Sequence, residues 1–113
     1  MGVLAKFYAW LARHEKDVTV DLLGFSVADV RMDWTAVRRV DIGRQPTGHV
    51  EIFFVEMTGA DGRQVVVDDL MDGFERFRAA LLSQWPQYEA AWTRVFTGPP
   101  DIAERVTLFD EGR

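Results

Sequence analysis

The sequence predicts an α+β fold, a bent antiparallel sheet with an N-terminal helix and a C-terminal helical pair over it. Three observations carry this. Residues 18–22 alternate in polarity, two β-prone runs flank an Asp61-Gly62 turn, and after Asp69 the apolar period changes from two residues to that of a helix. With 113 residues and no internal repeat, low-complexity tract or long linker, the chain is expected to form one domain over residues 1–113.

Taken in order, the first element is an amphipathic helix. Val3, Phe7, Trp10, Leu11 and His14 fall on one face at helical spacing. Lys6 interrupts the run early, it is far too short to cross a bilayer, and no small-residue cleavage site follows. Lys6, Arg13 and Lys16 are too thin a basic face for a membrane-surface helix, so the expectation is packing onto the domain and no membrane partner.

Val18, Val20 and Leu22 alternate with Thr19 and Asp21, the pattern of a half-buried strand. Gly24 reads as a turn or bulge, Phe25 through Met32 as the next strand, and Asp33-Trp34-Thr35 as a short corner. Val37, Val40 and Ile42 lead into a third strand closed by a loop from Gly43 to Gly48. His49 to Met57 and Gln64 to Asp68, joined across Asp61-Gly62, form a hairpin. The sheet is therefore expected within residues 18–69.

A helical stripe of Phe74, Phe77, Leu81 and Trp85 follows, with Asp72 as its N-cap and Glu75 completing a capping box. Pro86 stops or kinks this helix. Tyr88, Ala91, Trp92, Val95 and Phe96 define a second apolar face, ended by Gly98-Pro99-Pro100. A last extended piece from Val106 to Phe109 is expected to add an edge strand.

Composition excludes several chemistries. There are no cysteines, so disulfides, thiolate metal sites and thiol nucleophiles are out, which suits a reducing cytoplasm. Ser26 and Ser83 lie in no nucleophile elbow. His14 and His49 are isolated and lack zinc-pair spacing, and a structural role is favoured for each. The glycines around Asp61 join two strands and open no helix, so they form a turn and not a phosphate cradle. No catalytic residue and no cofactor are expected.

The net charge of -5 is uneven. Residues 1–49 hold seven Lys and Arg against six Asp and Glu, whereas residues 50–113 hold six against twelve. Nucleic-acid binding requires clustered positive charge, and no such stripe exists. The acidic second half suits a basic protein partner.

One cluster merits weighing as a site: Asp68, Asp69, Asp72 and Glu75 at the strand-to-helix junction. Carboxylates near a helix N-terminus are stabilised by about 0.3–1 kcal/mol each, and capping alone accounts for them. Their functional readings are a docking patch for a basic partner and, as the alternative, a site for Mg²⁺ or Ca²⁺ or for acid–base chemistry, although the spacing is not that of a calcium loop. Four tryptophans are many for this length. Trp85 and Trp92 sit on helical stripes and are assigned to the core. Trp10 and Trp34 are assigned first to the core, with an interface as their other reading, and a homo-oligomeric structural protein, such as a homodimer, built through Trp10 and the N-terminal helix is a third reading.

From Trp34 to about residue 109 the order of features resembles a small bacterial domain family of unknown function with a pleckstrin-homology-like fold. The matching pieces are Trp34-Thr35-Ala36-Val37-Arg38-Arg39-Val40, the Asp61-Gly62 hairpin, Val65-Val66-Val67-Asp68-Asp69 running into Asp72-Gly73-Phe74-Glu75-Arg76-Phe77, and Trp92. The resemblance implies a barrel or half-barrel scaffold that binds other proteins, and small acidic proteins of this kind include immunity proteins that neutralise bacterial toxins. The turn at Leu23-Gly24-Phe25 has no basic residue, so the resemblance does not extend to phosphoinositide binding.

Overall fold

Strand β1 (Val18–Val20) buries Val18 and exposes Thr19. It ends sooner than the alternation suggests, leaving Leu22 outside the strand. The structure, a computed structural model, describes residues 17–46, 51–98 and 104–111. The expected N-terminal helix, with Trp10 and His14, and also His49, lie outside the described residues.

The expected strand from Phe25 to Met32 is in fact two, β2 (Gly24–Val27) and β3 (Val30–Asp33), with a reversal at Ala28-Asp29 where Ala28 has φ 56°. Parity explains it. In one extended strand Phe25 and Val27 would face opposite to Val30 and Met32. The hairpin pairs Phe25 with Met32 and Val27 with Val30, so all four share a face. Gly24 is a strand residue and not a turn, because the β3 backbone approaches so closely that a Cβ there would run into the Met32 carbonyl.

A 3-10 turn, Trp34–Ala36, leads into β4 (Val37–Pro46). This strand continues through most of the expected Gly43–Gly48 loop, pairing with β5 (Glu51–Gly59) in register as far as Pro46 opposite Glu51. The predicted hairpin is present, β5 joining β6 (Gln64–Asp68) with Gly62 at φ 84° in the turn. Helices α1 (Phe74–Gln84) and α2 (Tyr88–Phe96) follow, then β7 (Glu104–Asp110).

The strands form two antiparallel sheets where one bent sheet over residues 18–69 was expected. One has the order β1-β2-β3 and the other β6-β5-β4-β7, so the C-terminal strand does add an edge. Helix α1 packs on β1, and α2 packs on β4 and β7. The core gathers Phe25, Trp34, Val40, Ile42, Val55, Met57, Val67, Phe77, Leu81, Tyr88 and Val95 between sheets and helices. The rings of Phe25, Trp34 and Phe77 meet at 5.1–6.2 Å, joining the three-stranded sheet to α1.

The cap of α1 also differs. Gly73, at φ 90°, is the N-cap residue, no side chain bonds the first turn, and the capping box of Asp72 with Glu75 does not form. The Asp72 carbonyl instead accepts the Val18 N–H at 2.9 Å. Gly73 lies so close beneath β1 that a Cβ would collide with the Val18 carbonyl, and only glycine adopts this φ without strain.

Candidate binding groove at the strand–helix junction

Asp68 ends β6 with its side chain fully buried, and its Oδ1 accepts the Leu70 N–H at 2.8 Å. This is an Asx turn, in which a short polar side chain replaces a backbone acceptor and bends the chain out of the strand. Asp69 then extends the β5 pairing by one residue. Its N–H donates to the Phe53 carbonyl at 3.0 Å, and its Oδ1 accepts the Phe53 N–H at 3.3 Å. Partial burial of that carboxyl, together with the Asp68 carboxylate beside it, pushes it above the usual carboxylate range, against the hydrogen bond from Phe53.

From Asp69 the chain crosses under β1 to reach Gly73. The crossing leaves an open groove of about 540 Å³, walled on one side by Val18–Val20 and on the other by residues that include Asp69, Asp72, Glu75 and Arg76. Asp69, Asp72 and Glu75 are all exposed. Three carboxylates against one guanidinium make the lining net negative. One wall is a sheet edge. The Val18 N–H is bonded to Asp72, and the backbone of Val20, pointing the same way two residues on, meets no hydrogen-bonding group among the described residues.

The sequence-predicted residues therefore separate. Asp69, Asp72 and Glu75 converge on the groove, while Asp68 lies beneath it and is inaccessible to a partner. Trp34 is buried among Phe25, Phe77 and Trp85 and contributes packing, not contact surface. Trp10 lies outside the described residues. The β1 wall is what residue-by-residue reading missed. The strand is visible in the sequence, but no local signal tells that its outer edge faces residues fifty positions later.

A second pocket, of about 480 Å³, lies between β3 and the β5–β6 turn and is lined by Arg31, Asp33, Asp61 and Arg63 among others. Four of its five charged side chains pair with one another, Arg31 with Asp33 at 3.1 Å and Arg63 with Asp61 at 2.7 Å, leaving Asp29. The acidic groove has no comparable pairing among its described residues and is the stronger candidate.

Among the described residues no three His, Cys, Asp or Glu side chains are grouped to hold a metal ion, and no helix is long and apolar enough to cross a membrane. Comparison with protein-family models, with curated proteins and with solved structures finds no match to this chain.

Proposed function

We propose that this chain is a non-enzymatic protein-binding module, an immunity or adaptor protein that docks a basic protein partner against the acidic groove. The observation that carries this reading is the convergence of Asp69, Asp72 and Glu75 beside β1, where the Val20 backbone meets no hydrogen-bonding group among the described residues. An extended partner segment placed there would gain main-chain hydrogen bonds from the strand edge and charge pairing from the opposite wall. The -5 net charge would steer a cationic partner toward it. The fold part of the proposal is a pleckstrin-homology-like scaffold, supported by seven strands among the described residues in two antiparallel sheets, with two helices packed on them ahead of the last strand. A cytoplasmic setting is supported by the absence of cysteine.

The test is affinity purification of the tagged full chain from its native cells, followed by titration calorimetry with the purified partner. A basic protein is expected, with affinity falling at least tenfold in Asp72→Lys/Glu75→Lys and falling as salt rises. An acidic partner, or affinity indifferent to the double charge reversal, would sink the reading.

A further inference from the structure

The turn between β1 and β2 carries Leu22 at 95% exposure and Leu23 at 71%. A single exposed leucine is ordinary on a protein surface. Two adjacent ones at the tip of an ordered turn are not explained by packing, since neither side chain belongs to the core.

The turn that displays them is held from several sides. Asp21 Oδ1 accepts the N–H groups of Leu23 at 2.8 Å and Gly24 at 3.0 Å. The Asp21 N–H donates to the Gly24 carbonyl at 3.0 Å, and the Leu23 carbonyl accepts the Trp34 N–H at 2.9 Å. Arg31 then grips the Asp21 carboxylate with both terminal nitrogens, at 2.6 and 2.9 Å, and places its Nε on Asp33 at 3.1 Å. Hydrogen bonding from Arg31 and from the Leu23 amide holds the Asp21 carboxyl far below the usual range, so it is charged at any physiological pH. The backbone is thus fixed before any partner arrives, and little conformational freedom remains to be lost when the leucines are buried.

We propose that Leu22 and Leu23 form a preorganised apolar anchor that inserts into a hydrophobic pocket with a basic rim on a protein partner. The occupant follows from charge. Beside the turn Asp21, Asp29, Asp33 and Asp61 stand against Arg31 and Arg63, so the surface next to the anchor is net negative. Anionic lipid headgroups would be repelled by it, and a second copy of this chain would present the same sign. A pocket ringed by Lys or Arg complements both parts. The anchor rests on the binding function proposed above but uses none of the groove's carboxylates; it adjoins the groove, whose β1 wall ends at Val20.

The experiment places a photo-crosslinking amino acid at Leu22 in the full chain expressed in its native cells. The captured protein is identified, purified and titrated against wild type, Leu22→Ser/Leu23→Ser and Asp72→Lys/Glu75→Lys. The proposal expects a basic protein whose affinity falls at least tenfold with the serine pair, while the thermal midpoint of that variant stays at the wild-type value. It is overturned by undiminished affinity, by a lowered midpoint (the leucines would then be packed), or by an acidic captured protein. A crosslink only to a second copy, leucine-dependent binding to phosphatidylserine vesicles, or no crosslink at all would overturn it too. Loss of affinity in the serine variant alone would retire the groove and keep the anchor, and loss in the charge-reversal variant alone would do the opposite.

Discussion

Arg44 illustrates how one residue can carry an element that pattern reading places in a loop. Its side chain has no exposed surface. Its Nη1 donates to the carbonyl of Val95, in the last turn of α2, at 2.6 Å and to that of Gly98, just past the helix, at 3.0 Å, where a cation also meets the negative end of the helix dipole. Glu104 on β7 lies 3.5 Å from Nη2, and Glu51 on β5 lies 3.7 Å from Nε. One guanidinium therefore ties the end of α2 to three strands. Replacing it with methionine keeps most of the stem volume but takes this cation from the partly buried Glu51 and Glu104 and a donor from two carbonyls. Breaking a buried charge pair in this way costs about 3 kcal/mol. Arg44→Met should lower the unfolding free energy by that amount, seen as a lower urea midpoint at unchanged slope, and lysine, a point charge without the planar fork, should rescue only part of it. An unfolding free energy within about 0.5 kcal/mol of wild type, the spread of a neutral surface change, would show that α2 is held by its apolar face alone.

Among the elements, β7 is the one whose attachment depends most on charge. It joins β4 across more than sixty residues of sequence and has no turn to fix its register. On the face away from α2, the buried carboxylate of Asp41 accepts from Thr107 at 2.7 Å, Arg39 at 3.0 Å and Arg105 at 3.1 Å, and Arg105 also pairs with Glu56 on β5. Burial alone would raise the Asp41 pKa, but these three donors outweigh it and hold the carboxyl below its usual range. The sign then follows. A carboxyl lowered in the folded state binds fewer protons there than in the unfolded chain. Its contribution is complete above the unfolded pKa of about 3.9 and is lost as pH falls through the lower folded value. Asp41→Asn should cost about 2 kcal/mol at pH 7, since hydrogen bonds to charged groups contribute about 1.5–3 kcal/mol. The gap from wild type should narrow on acidification below about pH 4. Parallel stability curves from pH 7 to pH 2 would remove Asp41 from the account. This pairing was also the least legible part of the fold. The β5–β6 hairpin announces itself through Asp61-Gly62, and the β2–β3 reversal could have been read from the parity of Phe25 and Val27 against Val30 and Met32. Nothing local says that Asp41 will meet Thr107. Asp72 misled for a related reason: its sequence suits an N-cap, but its carbonyl is taken by Val18, and the tight approach under β1 needs Gly73 at the cap.

At the scale of the whole molecule, the part of the site drawn from contiguous sequence was legible and the part set by tertiary approach was not. Asp69, Asp72 and Glu75 are neighbours along the chain and share the groove, but Asp68 turns inward through its Asx bond, and the alternation of Val18, Val20 and Leu22 gave no hint that the strand stops short of an exposed leucine. Trp34 shows the same principle in reverse. The sequence left an interface role open for it beside a core one, and its ring contacts Phe25 at 5.2 Å, Phe77 at 6.2 Å and Trp85 at 6.1 Å, while Trp85 reaches Phe109 of β7 at 5.5 Å. This chain of rings runs from the three-stranded sheet through α1 to the edge of the four-stranded sheet, so neither sheet buries its apolar face without the other. With a radius of gyration of 13.5 Å, near the roughly 13 Å typical of a folded domain this size, the described residues share one core. Thermal unfolding followed by tryptophan fluorescence and by far-ultraviolet circular dichroism should therefore give coincident midpoints. Trp34→Ala should lower both together by about 12–20 °C, since removing a buried aromatic costs about 3–5 kcal/mol and each kcal/mol moves a domain of this length by roughly 4 °C. If the fluorescence midpoint fell while the dichroism of the four-stranded sheet held, the β1-β2-β3 sheet would be a separate cooperative unit, and a partner docking on β1 would then engage a part of the molecule able to open on its own.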